Sequence, residues 1–302
     1  MYTIDNGQLK VAILDPVADR ERMGTRYCTG GYIFQVDDPK LGALLSGPTY
    51  PDSFNVFDGQ GIPDAFSASP LRDPKDPDAP VLIPGIGSCD QKERKVLEWC
   101  QWQVETQPAA IRMVTQQRLG DYALELERRV RIHERSVRSE IRLKNGSKTG
   151  INLRWYPHPF YPHAQTDELI RFNIPVSFPE NPGYELSANG FIRRKSWPWE
   201  GGYFQALDHS ADRPLSLVQR HPTLGLVSAT CSYVPAFFPI WGNARTFSWE
   251  PYLERTLYSG QELNWWIEYD FCAAKIAGVH RWPYTSFFAN STAKRRETAR
   301  CA

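Results

Sequence analysis

From Tyr122 the chain alternates. Tyr122, Leu124, Leu126, Arg128, Val130 and Ile132 fall on one side, and Ala123, Glu125, Glu127, Arg129 and Arg131 on the other. A period of two with one apolar face predicts a half-buried β-strand. The pattern repeats at once, with Val137, Ile141 and Leu143 opposite Arg138, Glu140, Arg142 and Lys144. His-Glu-Arg-Ser at 133–136 reads as the hairpin loop between the two strands, and Asn145-Gly146 as a following turn that tolerates φ > 0. A further strand is expected at 150–156, and others near 9–14, 31–36, 169–178, 214–219, 225–231 and 262–271. Long helical periodicity is absent. The expectation is an all-β fold, an antiparallel meander of long strands closing into a large β-sandwich.

Two stretches break the pattern. Residues 46–88 are rich in Pro, Gly, Asp and Ser, and residues 179–213 are irregular and carry Trp197, Trp199, Tyr203 and Phe204. The first reads as long loops, a length usually associated with function or mobility. Residues 1–274 are expected to form one domain and 275–302 a frayed C-terminal tail.

Composition narrows the function classes. With 35 basic against 34 acidic residues the formal net charge is +1, which gives no large field to attract nucleic acid or an anionic membrane. The six cysteines, Cys28, Cys89, Cys100, Cys231, Cys272 and Cys301, form no C-x-x-C pair, zinc pattern or dense disulfide framework. Reduced thiols in a cytoplasmic protein are therefore expected. The N-terminal residues do not read as a signal peptide, and no run of about 18 apolar residues predicts a membrane span. Aromatics reach 13% with ten Trp, and there are 24 Pro. Aromatic residues favour pleated strands, and exposed ones can stack on the C–H faces of sugar rings, although core packing is the commoner role for any one of them.

Two motifs carry candidate chemistry. Trp-Tyr-Pro-His-Pro-Phe-Tyr-Pro-His at 155–163 places His158 and His163 in a proline-fixed loop just past a strand end. A packed aromatic–proline corner is the alternative reading, and two histidines five residues apart without a third ligand do not make a metal site. Phe-Ser-Trp-Glu-Pro-Tyr-Leu at 247–253 sets Glu250 in an aromatic run. Burial there would raise its pKa and suit a general base near neutral pH, whereas a carboxylate hydrogen-bonded at a strand end is the commoner fate of a lone Glu. A His and a Glu on opposite sides of a pocket could move protons at two atoms of one substrate.

In the order and spacing of these motifs the chain resembles the aldose 1-epimerase (galactose mutarotase-like) family over roughly residues 25–272. Tyr-Pro-His-Pro-Phe is similar to that family's histidine–aromatic motif after a long strand. Trp-Glu-Pro, followed by Ser-Gly-Gln-Glu at 259–262, is similar to its Glu-Pro motif and later turn. Asp-Arg-Pro-Leu-Ser-Leu at 212–217 resembles the Asp-Arg motif of the branch acting on hexose 6-phosphates, and residues 58–66 are a looser echo of that branch's Gly-Gly-x-Pro loop. The resemblance implies a β-sandwich isomerase that needs no cofactor and no metal. It makes His158 the acid at the ring oxygen and Glu250 the base at the C1 hydroxyl. Asp212 would accept from a sugar hydroxyl, with Asp208 its rival. Gln60, Arg94, His163 and Trp241 complete the candidate sugar-binding set. The implied partner is a small carbohydrate, with no nucleic acid or membrane, for a monomer or homodimer. Two features depart from the family pattern. The stretch Leu-Ile-Pro-Gly-Ile-Gly-Ser-Cys at 82–89 lacks the expected second histidine, and no basic residue stands clearly at the early sugar-binding Arg. A non-catalytic carbohydrate-binding or sensing domain, and a polysaccharide lyase with a Tyr or Arg beside the His, are the competing functions.

Overall fold

A ten-stranded antiparallel sheet forms one layer of the computed structural model, which describes residues 1–272. Its strands run, in spatial order, Tyr184–Leu186, Ile192–Arg194, Glu168–Phe172, Ser216–His221, Gly225–Cys231, Glu262–Asp270, Ser136–Asn145, Tyr122–His133, Ala110–Leu119 and Gln103–Gln107. The alternation at 122–132 is the alternation of burial: Leu124, Leu126, Arg128, Val130 and Ile132 are buried, while Arg129 and Arg131 are exposed. His133 faces Ser136 across a two-residue turn in which Glu134 has φ +51°. The exposed face of this sheet is laced with ion pairs such as Arg112 to Glu127 and Arg142 to Glu262. Each such pair in water contributes little.

The facing layer is built from shorter sheets. One runs Tyr161–Pro162, Thr246–Trp249, Phe238–Gly242, Tyr203–His209 and Val176–Ser177. Another runs Leu253–Leu257, Ile151–Pro157 and Asp64–Ala65. Aromatic side chains lock the layers together. Trp155 packs edge-on against Trp265 and Tyr233, Phe172 against Phe238, and the Trp249 indole donates to Gln219 Oε1 at 3.0 Å. One charge sits among them. Arg128, 1% exposed, donates through both terminal nitrogens to the carboxylate of Asp64.

Three expectations change. Asn145-Gly146 does not continue a meander. The Asn145 side chain donates to Thr149 O and Leu257 O, and the chain crosses to the other layer, where Ile151–Pro157 pairs with Leu253–Leu257. Gly146 is not among the glycines with positive φ. Residues 46–88 are not loop throughout, since Asp64–Ala65, Val81–Ile83 and the start of Gly87–Asp90 are paired strands. Residues 179–213 likewise contain three strands. These pieces are two to seven residues long, too short for a period to show. The tail expected at 275–302, with Cys301, lies outside the described residues. Among the described residues there is no α-helix, and no helix is long and apolar enough to cross a membrane.

Candidate functional site

The strand Ile151–Pro157 ends against Asp64–Ala65, and the chain then turns inward. The His158 N–H donates to Pro63 O at 2.8 Å, and the Phe160 N–H to Gly61 O at 2.7 Å. Gly61 has φ +77°, and a Cβ there would lie 2.4 Å from Ile33 O and Phe34 O, so no larger residue fits this junction. Prolines on both sides restrict the backbone of His158. Phe160 stacks on the imidazole with centroids 4.3 Å apart, and the edge of Tyr27 meets it at 6.2 Å. The ring is 3% exposed and fixed in plane.

Glu250 arrives from the neighbouring sheet. Its N–H donates to Pro239 O at 2.9 Å, just after the strand Thr246–Trp249. Along that strand Phe247 and Trp249 turn to the core, while Ser248 and Glu250 turn to the histidine. His158 Nε2 lies 3.2 Å from Glu250 Oε1, and His158 Nδ1 lies 2.8 Å from Ser248 Oγ. The two proton-transfer candidates are therefore in contact and do not face each other across a pocket.

They share the wall of a cavity of about 340 Å³, lined also by Arg26, Pro48, Phe57, Asp58, Tyr156, Phe160, Phe204, Trp241 and Tyr252. That is in the size range of small-molecule sites, roughly 300–1,000 Å³. Burial pushes the Glu250 carboxyl up to about 7, against the opposing pull of the Arg26 charge and a hydrogen bond from Tyr252. Burial, and then the Arg26 charge, hold His158 well below its ordinary value. Tyr156 and Tyr252 stack at 4.4 Å, and Arg26 donates to Phe57 O at 3.2 Å.

The structure gathers some of the sequence candidates and disperses others. His158, Glu250 and Trp241 line the cavity. Gln60 is buried outside the lining: its backbone N–H donates to the Tyr32 hydroxyl, and among the described residues its Oε1 has no hydrogen-bond partner. His163 lies outside the lining, with Nε2 2.7 Å from Asn243 O. Arg94 is exposed and outside the lining, over the Phe57 ring at 5.4 Å. Asp208 is an exposed strand residue paired with Ser177. Asp212 is exposed, accepting from Ser210 Oγ and the Arg213 guanidinium. Sequence reasoning missed Arg26, Asp58, Tyr156 and Tyr252. Among the described residues the one Lys or Arg in the lining is Arg26, from an irregular stretch before Ile33–Asp38. Tyr156 and Tyr252 stand two residues from His158 and Glu250, and that matched spacing was the available signal. Among the described residues no group of three His, Cys, Asp or Glu side chains is arranged to hold a metal.

No family model matches the sequence, and neither does any curated protein. Solved structures do match. A galactose mutarotase related enzyme from Lactobacillus acidophilus superposes with a TM-score of 0.60 at 12% identity, covering 89% of this chain and 96% of that one. The fold is the galactose mutarotase-like sandwich. A galactose mutarotase-like protein from Lactobacillus casei aligns with a TM-score of 0.54 at 12% identity, over 89% of this chain and 99% of its own. A further galactose mutarotase-like protein, from Clostridium acetobutylicum, gives 0.53 at 10% identity, over 88% and 93%. Likeness at this identity concerns the fold, and function has to be argued from the site.

Proposed function

We propose that this chain interconverts the anomers of an aldose or sugar phosphate by acid–base opening and closing of the ring. The observation that carries this reading is the contact between His158 Nε2 and Glu250 Oε1 on the wall of an aromatic cavity. A cyclic aldose offers two oxygens on one carbon, the ring oxygen and the C1 hydroxyl. An acid and a base lying side by side suit two oxygens held that close.

The reacting form carries one proton on the pair beyond neutral imidazole and carboxylate, on His158 with Glu250 ionised, although burial favours that proton on Glu250 at rest. His158 gives its proton to the ring oxygen as Glu250 takes the proton of the C1 hydroxyl. The bond from C1 to the ring oxygen breaks, and the C1 hydroxyl becomes the aldehyde carbonyl. Rotation about C1–C2 turns the other carbonyl face to the ring hydroxyl. The reverse transfers then close the second anomer and restore both groups. No electron leaves the substrate, so the reaction calls for no redox cofactor. Arg26 and Asp58 would bond sugar hydroxyls, and Trp241 and Phe204 would cover the sugar's C–H face, since all four line the cavity.

Polarimetry or NMR of freshly dissolved α-glucose, α-galactose and glucose 6-phosphate tests the proposal. A rate gain that Glu250→Gln abolishes, with sugar binding retained, supports it. Ligand-induced stabilisation without any rate gain would assign the chain to sugar binding alone.

A further inference from the structure

One contact in the site has no part in the proton transfers described above. Ser248 is fully buried, and among the described residues the single hydrogen-bond partner of its hydroxyl is His158 Nδ1. The strand that carries it is buried at every position from Thr246 to Trp249. A serine hydroxyl has one hydrogen to donate and lone pairs to accept with. Were it to accept from an Nδ1–H of neutral histidine, its own hydrogen would be buried without an acceptor. Buried polar hydrogens are rarely left so. Donation to Nδ1 satisfies both groups and leaves the imidazole proton on Nε2, the nitrogen 3.2 Å from Glu250. Ring stacking on Phe160 prevents the imidazole from turning to another partner.

We propose that Ser248 is the positioning residue of this site, holding neutral His158 with its proton on Nε2 and aimed at Glu250 and the cavity. When the ring gains a second proton, the same hydroxyl rotates and accepts from Nδ1–H. The hydroxyl's own hydrogen then loses its acceptor, so Ser248 favours the neutral ring over the charged one. The strand supplies the two partners two residues apart: Ser248 takes one ring nitrogen and Glu250 takes the other. The proposal deepens the acid–base reading of the site, but its deciding measurement needs no turnover.

The test uses the full chain, labelled with 15N-histidine, without sugar, at a pH where the ring is neutral. Signals of His158 are assigned by their loss in His158→Gln. Glu250→Gln removes the carboxylate's own pull on the tautomer, because an amide can donate or accept. In Glu250→Gln the shifts should report a proton on Nε2. In Ser248→Ala/Glu250→Gln the population with the proton on Nδ1 should rise to a readily measured share, and Ser248→Thr/Glu250→Gln should restore the first pattern. If the Ala form does not fold, Ser248→Cys, with a much weaker donor, takes its place and should show the same change. An unchanged tautomer on loss of the hydroxyl, or a proton already on Nδ1 in Glu250→Gln, overturns the proposal. Absence of any anomer interconversion would remove the proposed reaction and leave the tautomer result to stand by itself.

Discussion

Arg128 on the ten-stranded sheet grips Asp64, the residue paired with Pro157 immediately before His158. The guanidinium also donates to Ser139 Oγ at 3.1 Å. A buried ion pair thus spans the sandwich and ends one residue from the candidate acid. Charges taken out of water recover their desolvation cost only through their partners.

Removing one partner should therefore be costly. Asp64→Ala or Arg128→Met is expected to lose about 3–5 kcal/mol of stability by stranding the other charge. The double variant Asp64→Ala/Arg128→Met should lose less than the two single losses combined. Guanidinium unfolding curves of the four proteins give the comparison. Additive losses would mean that the pair is not coupled.

Stability should also carry the signature of Glu250. An unfolded glutamate titrates near 4.5, and this one near 7. Between those pH values the folded chain keeps a proton that the unfolded chain has lost. The contribution of Glu250 is fully present below 4.5 and disappears as pH rises through about 7, a change of roughly 3 kcal/mol. Glu250→Gln cannot ionise, so its stability relative to the parent should improve between pH 4.5 and pH 8. His158 acts in the opposite sense, because its depressed pKa costs stability as pH falls below the ordinary histidine value. Chemical denaturation at several pH values, run on both proteins, checks this. A difference that does not change with pH would show that Glu250 titrates like an exposed carboxylate.

Arg26 lowers the pKa of both Glu250 and His158. Arg26→Met should therefore move both titrations to higher pH. Sugar binding should weaken about tenfold or more, the usual loss for a hydrogen bond from a charged donor. Carboxyl and imidazole NMR titrations, with binding measured by calorimetry, would register the change. Opposite movements of the two groups would contradict the placement of the guanidinium.

Gly202 supports the Trp241 wall. It has φ +74°, and a Cβ there would lie 2.8 Å from the indole. Gly202→Ala should cost about 1 kcal/mol or more through the backbone alone. It should also displace Trp241 and weaken sugar binding. Tryptophan fluorescence and thermal unfolding are the readouts, and an Ala variant with parental stability and binding would contradict the close approach.

The sequence made the long strands plain because ten or more residues suffice for a period to show. Even Arg128 took its place on the apolar face of 122–132, though nothing local announced the partner 64 positions away. The crossover after Asn145 was hidden because a turn and a crossover begin with the same residue types. Strands such as Phe238–Gly242 and Thr246–Trp249 were missed because they are buried on both faces and show no alternation of burial, Trp241 aside. His158 and Glu250 were legible from proline-fixed aromatic motifs. Their contact was not, since it depends on two loops from different sheets meeting. Asp212 looked like a ligand from its neighbours in sequence, but its setting is an exposed loop where Arg213 and Ser210 already engage it.

The alternation at 246–250 has one more consequence. Side chains on a strand change face at every step, so a slip of one residue exchanges everything the two faces carry. Shortening the Asn243–Arg245 turn by one residue would present Phe247 and Trp249 to the histidine and push Ser248 and Glu250 into the core. The chain's chemistry is in this sense written in parity: an even shift could be repaired by substitution, whereas an odd one turns the wall of the cavity inside out.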